Sequence, residues 1–176
     1  MSRRSPALVA VGLALAVQSG TAQQMSAVES VRPLYEMARG FIHRAAEQMP
    51  EVDYGFKPTP EVRSFGQLLG HIADGRYMFC SMASGEANPK ANTNHEQLAT
   101  KAALIQALNQ SAAYCDQAYA ISDARAMESL EIFGRAWNRL GALAFNATHD
   151  WEHYGNIVTY LRLKGMVPPS SQRGGL

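Results

Sequence analysis

From Ser26 to Lys164 the apolar residues recur at three- and four-residue steps, a spacing that commits most of the chain to α-helix. In the first such segment, Ser26 to Met49, the series is Val31, Leu34, Tyr35, Ala38, Ile42, Ala45 and Met49. Pro50 and the segment to Pro60 break it. A second helix is predicted from Ser64, where Ser64 and Gln67 make a capping-box pattern, to Gly85. A polar, Asn-rich linker from Glu86 to Glu96 precedes a third helix over Thr100 to Ala120. An irregular stretch, Ile121 to Arg135, reads as a crossover with room for a short helix. The fourth long helix is expected over Ala136 to Lys164, with Gly165 as a left-handed cap and Pro168-Pro169 preventing continuation. No stretch alternates with the period of two that a half-buried strand needs. Long amphipathic helices in one domain predict an all-α fold, a four-helix bundle.

The N-terminus carries a different signal. Arg3 and Arg4 precede the apolar run Ala7 to Val17, and Gly20-Thr21-Ala22 follows with small residues. This is the three-part pattern of a secretory signal peptide over 1–22, with a mature chain beginning near Gln23. The expected location is therefore periplasmic or secreted; an uncleaved anchor is the other reading. The run is shorter than the roughly 20 apolar residues of a spanning helix. Residues 23–170 form the expected domain, and the last residues, 171–176, are expected to be a disordered tail. The net charge of +1 gives no reason to expect nucleic acid or an anionic membrane surface as partner. Cys80 and Cys115 fall on two different predicted helices. Either they are small buried residues or, in an oxidising compartment, they form a disulfide.

Bundles build metal sites from side chains on facing helices, so the histidines carry the functional question. His149 and His153 are four residues apart, hence on one helix face. About 0.14 such pairs arise by chance with this many histidines, so the pair alone is weak. Ala142, Phe145 and Ile157 flank it, and Asn146 and Asn156 extend a polar stripe that a metal with bound water would satisfy. His71 lies early in the second helix beside an apolar stripe, with Asp74 one turn on. His43 falls off the first helix's stripe and His95 lies in the linker; both are left out of the site.

Two segments carry a resemblance. Phe65-Gly66-Gln67-Leu68-Leu69-Gly70-His71-Ile72-Ala73-Asp74 is one. The other is His149-Asp150-Trp151-Glu152-His153-Tyr154-Gly155-Asn156, continuing through Tyr160-Leu161-Arg162 and Gly165 to Pro168-Pro169. Over about Ser26 to Ser170 the chain resembles the DinB/YfiT-like metalloenzyme family. The resemblance implies an up-down-down-up four-helix bundle, frequent homodimers, and one divalent metal held by His71, His149 and His153. It also implies chemistry with small thiols, from which the exported leader departs.

Three neutral imidazoles with an open position are the pattern of a catalytic rather than a closed metal site. Zinc or nickel is expected, with iron or copper also compatible with imidazole. Asp74 could orient His71 or equally be a surface carboxylate, while Glu152 lies about 100° around the helix from His153 and is a poorer general base. The expectation is a metal-dependent hydrolase or thiol-type transferase acting on a small molecule. A non-catalytic, metal-binding stress-response bundle of the cell envelope is the alternative, and a pocket beside the metal would discriminate. Ligand imidazoles must be neutral, so metal loss is expected below about pH 6.

Overall fold

The computed structural model describes residues 25–172. The predicted leader and residues 173–176 lie outside the described residues. Four long helices account for most of the described residues: α1 (Ala27–Gln48), α2 (Phe65–Ser84), α3 (Lys101–Ala118) and, after a short α4 (Asp123–Ala126), α5 (Arg139–Leu163). Between α4 and α5 a hairpin of β1 (Ser129–Ile132) and β2 (Arg135–Asn138) is inserted. None of the described helices is long and apolar enough to cross a membrane.

Local chemistry sets the helix ends. Ser26, Ser64, Thr100 and Asn138 each accept a backbone N–H of the first turn, worth about 1 kcal/mol apiece. At Ser64 the expected capping box is complete, since the Gln67 side chain accepts the Ser64 N–H at 2.9 Å. Gly165 has φ of 73°, and the N–H groups of Gly165 and Met166 reach the carbonyls of Arg162 and Leu161. That pair of bonds is a Schellman motif, which needs a left-handed residue where Gly165 stands.

The hairpin departs from the all-α expectation. Ser129 pairs with Asn138 and Ile132 with Arg135, closed by Phe133 and Gly134 at φ of 50° and 73°. Both central residues are left-handed, as a two-residue type I′ turn demands. Such turns are ordinarily Asn-Gly or Asp-Gly, and of the strand residues only Ile132 is buried, so neither turn chemistry nor alternation was present to read. Consequently α5 starts at Arg139 rather than Ala136. Pro169–Ser171 form a 3₁₀ turn, and the Tyr154 hydroxyl accepts the Ser170 N–H at 2.9 Å.

Packing follows the apolar faces. One cluster centres on Phe41, Ile42, Leu69, Ile72, Leu108 and Ile157; a second on Tyr35, Cys115, Tyr119, Leu143 and Ala147. Leu34, expected inside, is 50% exposed, and Phe41 takes the inward position instead. Cys80 and Cys115 are both fully buried and joined as a disulfide, with Cα atoms 5.3 Å apart, tying α2 to α3.

Between the clusters lies an ion pair. Arg76 of α2 and Asp150 of α5 are 1% and 0% exposed. Arg76 donates through Nη2 at 2.8 Å and Nε at 3.0 Å to one Asp150 oxygen. Burial works against the Arg76 charge, but the Asp150 carboxylate holds the guanidinium above its ordinary range. Removing one member of such a pair leaves a buried charge unanswered. Asp150→Ala is expected to lower the unfolding free energy by about 3–5 kcal/mol, while the double variant Arg76→Met, Asp150→Leu loses far less. Urea denaturation checks this; a single-variant loss below about 1 kcal/mol would contradict it.

Candidate metal centre

One turn along α5 separates His149 from His153, and their Nε2 atoms face each other at 3.0 Å. From α2, His71 brings its Nε2 to 3.3 Å from that of His149. One ligand atom from each lies within 4.8 Å of the others. The structure thus brings together the three histidines singled out in the sequence. Donors held at bond lengths of 2.0–2.1 Å around a tetrahedral ion stand roughly 3.3 Å apart, so the spacing fits one ion.

The electrostatics fit as well. Burial, then the neighbouring His153 and His71, pushes His149 down from 6.5 to about 3. Burial, then His71, pushes His153 down to about 4. Both imidazoles are therefore neutral near pH 7 and offer lone pairs. One N–H between facing nitrogens serves only one of the contacts, whereas a cation satisfies all three.

The carboxylate that meets His71 is Glu96 rather than the candidate Asp74. Glu96 Oε1 contacts His71 Nδ1 at 3.0 Å and also accepts Arg63 Nε at 3.1 Å. With its proton on Nδ1, His71 directs the Nε2 lone pair inward. Asp74 instead faces the linker, accepting the His95 N–H at 3.1 Å and meeting His95 Nδ1 at 2.5 Å. His95 is buried and stacked on Tyr77 rather than lying loose in the linker.

Two glycines in α2 make this possible. A Cβ on Gly70 would lie 2.4 Å from the His95 carbonyl oxygen, and one on Gly75 would lie 2.4 Å from His149 Cε1. Without side chains, the 3₁₀ turn His95–Gln97 and the His149 ring both settle against the α2 backbone. Mid-helix glycine costs about 1 kcal/mol relative to alanine, so each is a local sacrifice for close approach.

Other expectations resolve differently. Asn146 is fully buried but donates to the Tyr119 hydroxyl at 3.2 Å, so that residue rather than a metal satisfies it. Asn156 and Glu152 are exposed and, with Arg63, Gln67, Glu96 and His153, line a cleft of about 760 Å³. His43 faces outward toward Glu47. A second cleft of about 410 Å³, walled by Arg39, His43, Arg44 and Arg76, contains none of the three histidines.

The depressed histidines set a pH window. Unfolded, both titrate near 6.5; folded, they titrate at about 3 and 4. The folded state binds fewer protons in between, so stability is full above about pH 6.5 and lost as pH falls toward 4. The urea midpoint of metal-free protein should fall steadily between about pH 6.5 and 4; a flat profile would contradict the assignment.

No curated protein matches the sequence. The crystal structure of the mycothiol-dependent maleylpyruvate isomerase matches with a TM-score of 0.60 and 19% identity, over 77% of this chain and 66% of that one. A histidine-to-alanine mutant of that enzyme matches with the same TM-score, identity and coverage. The chain thus spans about two thirds of that enzyme's length, and at 19% identity the likeness is one of fold. A sequence profile described as the DinB superfamily matches residues 34–157, a span that includes His71, His149 and His153, and the chain belongs to that superfamily.

Proposed function

We propose that this protein is a metal-dependent enzyme acting on a small molecule, with His71, His149 and His153 as the ligands of one divalent ion. The observation that carries the reading is the convergence of three Nε2 atoms beside a cleft of about 760 Å³, into which His153 opens. A cleft of that size is what a catalytic site requires and a storage or purely structural site does not. A divalent ion held by three imidazoles supplies Lewis acidity and lowers the pKa of a bound water.

The chain's own residues supply the rest. Glu96 fixes the tautomer of His71, and Arg63 keeps the Glu96 carboxylate in place. Gln67 and Asn156 offer amide groups along the cleft, and Tyr160, whose hydroxyl donates to the Arg63 carbonyl at 2.6 Å, closes one side. Glu152 also stands on the cleft wall, about 100° around α5 from His153.

Residue pairs across the helices support an up-down-down-up order. His71 faces His153 and Phe79 faces Phe145, in opposite directions along α2 and α5. Gly66 meets Leu104 and Cys80 meets Cys115, in the same direction along α2 and α3. The leader over 1–22 and the Cys80–Cys115 disulfide support export to the periplasm or medium after cleavage. Reduced thiols are scarce there, which favours hydrolysis over the thiol-type transfer, and a homodimer is the proposed assembly.

Protein purified without added metal should carry about one ion per chain, with zinc or nickel preferred. Elemental analysis of the His71→Ala, His149→Ala and His153→Ala variants should show that ion lost. Glu96→Gln should weaken metal affinity by about 10–100-fold, measured by competition with a chromogenic chelator. Metal-stripped protein that keeps the turnover of loaded protein on any responsive substrate would overturn the proposal.

A further inference from the structure

Phe133 is the feature that neither the core nor the histidine site uses. The residue is 68% exposed, and its φ of 50° makes it the only left-handed residue other than glycine among the described residues. A bulky side chain seldom adopts this conformation, and the first central position of a type I′ turn favours Asn, Asp or Gly. Burial does not account for Phe133, and the turn is worse for its presence. Strain kept at an exposed position points to a contact made outside the fold.

What Phe133 faces identifies that contact. Its ring stands edge-on to Phe145 at 5.8 Å and to Phe79 at 6.4 Å. Phe79 and Phe145 are 4.7 Å apart, and Phe79 meets the His149 ring at 5.5 Å. Phe145 precedes His149 by one turn of α5, on the side opposite to His153. A row of aromatic rings therefore leads from the hairpin tip to the histidine cluster, exposed at Phe133, half-buried at Phe145 and buried at Phe79, while the polar cleft lies beyond His153.

We infer that Phe133 and Phe145, backed by the buried Phe79, form a subsite for the apolar tail of a ligand whose polar head sits at His71, His149 and His153. The ligand is then a small amphipathic molecule with an aromatic or flat apolar group several bonds from its reacting head. This inference rests on the metal-site reading above. Edge and face contacts with aromatic side chains discriminate such a tail from a polar one.

Two probes and one substitution test it. Butyrohydroxamate and phenylbutyrohydroxamate share a metal-binding head and differ by a phenyl ring. Titration calorimetry on zinc-loaded protein should show the phenyl compound binding about tenfold tighter. Phe133→Asn should abolish most of that preference and, by giving the turn its favoured Asn-Gly pair, raise Tm by about 2–4 °C. Binding loss with a gain in stability is a combination that a merely structural phenylalanine would not produce. Equal affinities for the two probes, a preference that survives Phe133→Asn, or a Tm that falls would each overturn the subsite while leaving the metal reading intact. A dimer in sedimentation that Phe133→Asn converts to monomer would give the ring to a second copy and likewise overturn it. Failure of both probes to bind zinc-loaded protein would overturn the metal reading, and the subsite with it.

Discussion

The register between α2 and α5 depends on the Arg76–Asp150 ion pair. Both groups are withdrawn from water, and neither has another countercharge within bonding distance among the described residues. Sliding one helix past the other by a turn, about 5.4 Å, would orphan two charges in the core, a penalty of several kcal/mol. Apolar side chains tolerate such a slip far better than a guanidinium fork does. Asp150 lies between His149 and His153 in sequence, and Arg76 lies five residues after His71. The pair that sets the register therefore also sets which histidine faces which. A core built only from leucine and alanine could be as stable and would leave the three nitrogens less well aligned.

Around that register the site depends on close approach. The His149 ring rests on the backbone at Gly75, and the His95–Gln97 turn rests on Gly70. Between the two glycines stands His71. The linker is held by two crossed contacts: a helix histidine meets a linker carboxylate in His71–Glu96, and a helix carboxylate meets a linker histidine in Asp74–His95. Each contact satisfies a group that would otherwise be half-buried without a partner.

Much of this was legible in residues one turn apart. The capping box at Ser64, the cap at Gly165 and the pair His149 and His153 follow from local spacing, and the structure keeps all three. His71 was not legible locally; it entered through resemblance, and the fold brings it into place from 78 residues away. Asp74 stayed open between orienting His71 and lying at the surface, because proximity along a helix says nothing about what the linker brings. Glu96 sits 25 residues from His71, and only the folded linker joins them. The Arg76–Asp150 pair was missed for the same reason, since a charged residue in an amphipathic helix reads as solvent-facing until its partner is located. The hairpin was missed because Phe133-Gly134 is a poor turn sequence, and that same defect now marks Phe133 as unusual.

The crossed contacts bear on how this chain can vary. An insertion between Glu86 and Thr93 only lengthens an exposed connection, at a cost that grows slowly with loop length. A single residue added between His95 and Glu96 would break one contact or the other, because the helix partners Asp74 and His71 are three residues apart and cannot follow. Length drift over generations is thus confined to the first part of the linker. Its last two residues, His95 and Glu96, behave as part of α2, although the chain reaches them only after leaving that helix.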